Sequence, residues 1–215
     1  MSRLCYVTAM LMTCATYARA QAGSSQTQSV APPTAEIADA IARGARSKEW
    51  EGLEIHSSRM SMFSSGMGFY VKVEGPLNRV ANEAGDRARK YMSYSADSVT
   101  PTTLAPLLSV TATPRTEVSK VSNGVPVITP PATHIVLAVG EGFATIVQPT
   151  KMEFFDVQIP GTADDRKSTP ALTTKGVRAS FPMSSIPPGP FQVRVITSER
   201  EFAMDAEGEE RQRVR

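Results

Sequence analysis

Cysteine is almost missing from this chain of 215 residues: the only two are Cys5 and Cys14, both close to the N-terminus. There is one tryptophan, Trp50, and there are two histidines, His56 and His134. Beyond the N-terminus no apolar run reaches the roughly 18 residues a membrane-crossing helix needs. A large excess of charge of one sign is absent too, with 23 basic against 21 acidic residues. Such a balance argues against nucleic acid or an anionic membrane surface as partner. Several chemical signatures are also missing. There is no G-x-S-x-G, no Walker loop, no H-E-x-x-H and no calcium-loop D-x-D-x-D-G, which removes the sequence warrant for the chemistries those patterns serve. Gly66-x-Gly68 lacks a third glycine and precedes a strand, the wrong order for a dinucleotide fingerprint. What remains is 41% hydrophobic residues, enough for one folded domain or two small ones.

The N-terminus explains the cysteine distribution. Residues 1–20, MSRLCYVTAMLMTCATYARA, carry Arg3, a mostly apolar stretch from Leu4 to Tyr17, and the small residues Ala18 and Ala20 around Arg19. This is the pattern of a secretory signal peptide cut after Ala20, and the apolar stretch is short for a retained anchor. Leu11-Met12-Thr13-Cys14 resembles a lipoprotein box, but Thr13 stands where a small Gly, Ala or Ser is wanted. Lipidation at Cys14 is therefore the alternative, and it would make the product membrane-anchored. Cleavage after Ala20 removes both cysteines, so disulfides, thiolate nucleophiles and cysteine metal sites go with the leader. It also removes Arg3 and Arg19, leaving 21 basic and 21 acidic residues. Asn78, Asn82 and Asn123 all lack a glycosylation sequon, which agrees with bacterial export to the periplasm or beyond.

Along the chain, residues 21–33 are Gln, Ser, Ala and Pro with little to bury, and predict a flexible linker. Thr34 is suited to cap a short helix with Ile37, Ala38, Ile41 and Ala42 on one face, ending over Gly44–Ser47. Trp50–Ile55, Met60–Phe63 and Phe69–Val73 predict strands, with a turn over Ser64–Gly68. Pro76 then opens a helix with Leu77, Val80, Ala81, Ala84, Ala88 and Tyr91 or Met92 on its apolar face. Arg79–Glu83, Glu83–Arg87 and Asp86–Lys90 pair at i,i+4 on the other face, which reads as solvated. From Pro101 the character changes. Thirteen of 16 prolines lie in residues 101–190, and short β-rich runs alternate with turns: Leu107–Thr113, Val118–Val121, His134–Val139, Ala144–Val147, Glu153–Ile159, Val177–Phe181 and Phe191–Thr197. That spacing predicts an antiparallel β-sandwich. The expected organisation is thus α+β: a helix/strand part over 34–100, a sandwich over 101–198, and a charged, fraying tail over 199–215.

Ile186-Pro187-Pro188-Gly189-Pro190-Phe191 followed by Val193 and Val195 resembles the end of a carboxypeptidase-regulatory-like β-sandwich module. The resemblance spans about 157–197, and Thr173–Gly176 is similar to the turn before that module's penultimate strand. It implies an Ig-like or regulatory-like sandwich with an accessory, non-catalytic role, and it carries no functional residue across.

Three chemistries have residues to support them. His56, Met60, Met62 and Met67 form an imidazole and thioether set of the kind that suits copper outside the cytosol; the competing reading is methionines filling a core. Asp164 and Asp165 with Asp156 or Glu153 could meet calcium in a loop, though without the spacing of a dedicated site. A pair of carboxylates for hydrolysis is set by the fold and not by sequence spacing. The leading expectation is an exported, non-catalytic binding or assembly protein of the bacterial cell envelope. Its partner would be an envelope protein or cell-surface component, and it would have no cofactor of its own. A copper-binding protein and a small secreted hydrolase are the alternatives.

Overall fold

The computed structural model describes residues 32–47, 49–56, 68–122, 125–159, 163–164, 167–168, 172–206 and 213–214. Ala18 and Ala20, the expected cleavage residues of a leader, lie outside them, as does nearly all of the expected linker.

Two helices come first. α1 spans Thr34–Ser47 and α2 spans Pro76–Arg89. Among the described residues twelve strands surround and follow them: β1 Leu53–His56, β2 Gly68–Glu74, β3 Leu107–Ser122, β4 Val125–Ile128, β5 Ala132–Val139, β6 Thr145–Val147, β7 Lys151–Ile159, β8 Ala163–Asp164, β9 Lys167–Ser168, β10 Leu172–Pro182, β11 Phe191–Thr197 and β12 Glu201–Ala206. They build a large sheet in the order β1-β2-β3-β10-β7, with β4 paired to β3. A second sheet runs β12-β11-β5-β6, and β8 and β9 form a small ribbon. The strand pairings are antiparallel. The α+β class with a sandwich-like arrangement is therefore what the sequence leads one to expect.

Alternation puts one face of each sheet into a common core. Phe69, Val71 and Val73 of β2 join Val110 and Ala112 of β3 and Val177, Ala179 and Phe181 of β10. Against them stand Ile135, Leu137 and Val139 of β5, Phe191, Val193 and Val195 of β11, and Met204 and Ala206 of β12. Phe69 and Phe202 meet edge to face across the sheets, 5.2 Å between ring centres. Thr129, fully buried, secures the entry to β5: its hydroxyl donates to the Arg115 carbonyl at 2.6 Å and accepts from the Gly68 amide at 3.0 Å. β1 and β2, from the N-terminal part, thus belong to the sandwich core. The helices have a core of their own, in which Ile37 and Ala40 of α1 meet Val80 and Ala81 of α2.

Several local expectations change. α1 ends at Ser47, within the expected Gly44–Ser47 stretch, and Gly44 is where the two helices touch. A side chain there would place its Cβ 1.9 Å from the Ala81 carbonyl oxygen. Its buried face uses Ile37, Ala40 and Gly44, while Ala38 and Ala42 are exposed. α2 ends at Arg89, and Tyr91, in a left-handed backbone conformation, leaves both itself and Met92 in solvent. Val118–Val121 is the far part of β3 and not a separate strand. Thr173–Gly176 is interior to β10 and not a turn. The tail expected to fray from Glu199 instead forms β12 on β11. Phe202, Met204 and Ala206 share the inner side and outweigh the charges between them. Val214 is buried as well, in the same core.

Candidate functional site

The helix layer meets the sandwich at an open cleft of about 730 Å³. Ala35, Glu36, Asp39 and Arg43 of α1 form one wall, and Trp50, Glu51 and Gly52 form another. Leu77 and Asn78 at the start of α2 and Arg213 from the C-terminal segment complete it. Helical spacing explains the first wall, since residues 35, 36, 39 and 43 lie away from the buried stripe of α1 and turn toward the opening.

Hydrogen bonds hold the frame. Asn82 of α2 grips the 50–52 segment in both directions: its amide donates to the Glu51 carbonyl at 2.8 Å and its oxygen accepts the Glu51 N–H at 2.6 Å. The same amide donates to Glu74 at 2.6 Å, and the Trp50 indole N–H donates to that carboxylate oxygen at 3.1 Å. Asn78, buried, accepts from the Gly75 N–H at 3.0 Å and donates to the Arg213 carbonyl at 2.8 Å. The C-terminal segment is thereby fixed to the head of α2. Trp50 is held from two more sides. The Lys72 ammonium lies 4.6 Å from its ring centre, and Gly52, at φ +141°, packs so close that a Cβ there would stand 2.5 Å from the indole. Along the wall, Arg43 bridges Asp39 and Glu51, with 3.4 Å to the latter.

A second polar centre lies behind α2. Arg79, expected on the solvated face, turns inward and donates to three backbone carbonyls: Thr103 at 3.0 Å, Leu107 at 2.8 Å and Ala105 at 2.5 Å. Burial lowers its pKa. Glu83 accepts from Tyr94 at 2.7 Å and from Arg87 at 3.3 Å. Burial first, then the bond to Glu83, raises the Tyr94 phenol above its ordinary range. These groups brace the 94–107 connection and do not open onto the cleft.

The second open feature is β7. It pairs with β10 along its whole length and, among the described residues, with nothing on its other side. Phe154, mid-strand, is 53% exposed, while Phe155 on the opposite face lies over Gly176. Lys151 pairs with Glu153, and Lys175 with Asp156, each at 2.5 Å. The Lys151 bond holds the Glu153 carboxyl below its usual range.

The residues singled out from sequence are placed unevenly. Met60, Met62 and Met67 lie outside the described residues, and His56 closes β1 opposite Tyr70. Glu153 and Asp156 fall on opposite faces of β7 and do not converge; Asp165 lies outside the described residues. Among the described residues no three His, Cys, Asp or Glu side chains come together as a metal-holding group. His134 bonds Gln148 at 2.9 Å on the surface. The cleft residues were not singled out, because Glu36 and Asp39 on one helix meet Trp50, Glu51 and Arg213 only through the tertiary fold. Among the described residues no helix is long and apolar enough to cross a membrane. No protein-family model, curated protein or solved structure matches this chain.

Proposed function

We propose that the chain is an exported, non-catalytic binding or assembly protein of the bacterial cell envelope, engaging an envelope partner along β7. Export rests on the charged start, apolar stretch and Ala18-Arg19-Ala20 of the leader. The observation that carries the binding reading is the nine-residue strand β7, paired on one side only among the described residues. An edge of that length offers a row of backbone donors and acceptors to an added strand. Edge strands are commonly blunted by charge. Here the charges are already neutralised in pairs, and the middle of the strand exposes an aromatic ring, Phe154. The occupant that fits is an extended segment of an envelope protein with an apolar side chain opposite that ring.

The test is photocrosslinking in cells with benzoylphenylalanine at Phe154, and at the exposed helix end Tyr91 as control. The reading expects one recurrent heavier species from position 154 and none from 91. Equal labelling at both positions, or none at either, overturns it, and so does reproducible turnover of an envelope substrate by the purified protein. One observation favours a second reading, a small hydrolase: the cleft gathers the carboxylates of Glu36, Asp39 and Glu51 round one opening. Turnover abolished by Glu36→Gln or Glu51→Gln would establish that reading instead.

A further inference from the structure

We propose that the cleft beside Trp50 is a binding site for one ring of a neutral saccharide, with the indole as its platform. The volume, about 730 Å³, lies in the range of small-molecule sites. The platform is rigid before any ligand arrives. Glu74 fixes the indole N–H, and Gly52 packs against the ring. Trp50 lines the cleft, and the Lys72 ammonium, 4.6 Å from its ring centre, holds the ring as well. A platform already held in place adds no ordering cost on binding. The apolar C–H face of a pyranose ring is the natural match for such a flat, pinned surface.

The polar wall disfavours anions. Arg43 is already paired with both Asp39 and Glu51, so an ionic ligand has to compete for partners that hold each other. A hydroxyl does not. It donates to the spare lone pairs of the two carboxylates and accepts from guanidinium N–H groups left over from the five that Arg carries. Asn78 and Asn82 are committed to the frame, which leaves Glu36, Asp39, Arg43 and Glu51 as the polar groups facing a ligand. With Arg213 included, the lining has three carboxylates and two guanidiniums, a balance unfavourable to anions such as phosphate. One aromatic platform makes a single-ring subsite, with a dissociation constant expected near the millimolar range.

Because Trp50 is the only tryptophan in the chain, tryptophan fluorescence, excited selectively over tyrosine, reports on this cleft. The experiment titrates the chain from Gln21 onward with cellotetraose, maltotetraose, mannotetraose and chitotetraose to about 10 mM, with spermidine and inorganic phosphate as ionic probes. A saturable change with at least one tetrasaccharide is expected, weakened about tenfold in Asp39→Asn. Asp39 lies on the exposed side of α1, so this variant keeps the fold, and circular dichroism verifies it. Saturation by spermidine or phosphate but by no sugar overturns the proposal. So does a flat response to every probe, or a sugar response that Asp39→Asn leaves unchanged. The proposal does not rest on the β7 reading, since crosslinking at position 154 and fluorescence at position 50 fail independently.

Discussion

Gly44→Ala should destabilise the helix layer even though it places a better helix former inside a helix. In an exposed helix the substitution would gain up to about 1 kcal/mol. Here the new Cβ would stand 1.9 Å from the Ala81 oxygen, 2.6 Å from its carbonyl carbon and 2.8 Å from its Cα. All three are backbone atoms of a packed helix, so no side chain can swing aside. Relief requires α1 and α2 to part by about an ångström, loosening Ile37 and Ala40 from Val80 and Ala81. Overpacking costs about 1–3 kcal/mol, and a backbone obstacle belongs at the upper end. Offsetting the propensity gain leaves a net loss near 2 kcal/mol, or a fall in Tm of roughly 4–8 °C for a chain of this size. Thermal unfolding followed by circular dichroism at 222 nm and by Trp50 emission measures it. Gly85→Ala is the internal control: its Cβ would meet the Gly44 oxygen at 3.1 Å, a fit that a few tenths of an ångström restore, so its stability should stay within about 1 kcal/mol of the parent. Gly44→Ala as stable as the parent, or Gly85→Ala more damaging than Gly44→Ala, would refute the close-contact reasoning.

Arg79→Met should cost about 2–4 kcal/mol, because the carbonyls of Thr103, Ala105 and Leu107 lose a shared charged donor. Arg79→Lys should not restore it, since one ammonium cannot reach all three; hydrogen exchange over 103–107 reads both. The raised pKa of Tyr94 means that the native state favours the neutral phenol, whereas the unfolded chain ionises near about pH 10. The resulting stability is complete below that pH and is lost as pH rises toward the folded value. Denaturation midpoints at increasing alkaline pH should therefore decline less steeply in Tyr94→Phe than in the parent. At neutral pH the same variant should cost about 0.5–1.5 kcal/mol, for one lost hydrogen bond. Val214→Ala removes two methyl groups from the core, where Val214 lines a small cavity with Leu108, Met183, Ile186 and Phe191. It should cost about 1–2 kcal/mol in urea melts, and no change in midpoint would show that the C-terminal segment contributes nothing to the core.

Where a physical signal was local, the sequence carried it. Pro76 opening α2 and the alternation of Phe191, Val193 and Val195 are examples, each needing only a handful of neighbours to be read. Features made by distant residues were not legible. Gly44 reads only as part of the helix's fading end until Ala81 is seen against it, and Arg79 reads as a solvated i,i+4 partner until the 103–107 carbonyls close round it. β12 was hidden by composition: Glu201 and Asp205 suggest a charged tail, but period-2 placement of Phe202, Met204 and Ala206 sets the strand. The cleft lies at the extreme of this trend. Its walls come from residues 35–43, 50–52, 77–78 and 213, and no single window contains enough of them to suggest a site.

The two open features are separated by the sheet itself, which makes them independently testable. Trp50 leads directly into β1, and Glu74, which anchors its indole, ends β2. β7 is the opposite edge, beyond β3 and β10. At about 4.8 Å per strand, three to four spacings place the β7 edge roughly 14–19 Å from the strands that frame the cleft. A strand added to β7 would extend the sheet away from Trp50 and cover none of the cleft lining. Charge-neutralising substitutions in the cleft, such as Asp39→Asn, should therefore leave crosslinking at Phe154 unchanged. Blocking β7 by Asp156→Pro, which removes a backbone donor from the side away from β10, should leave Trp50 emission and any sugar titration as in the parent. If Asp156→Pro instead shifted Trp50 emission, the large sheet would be transmitting strain between its edges, and the two features would have to be treated as one coupled site.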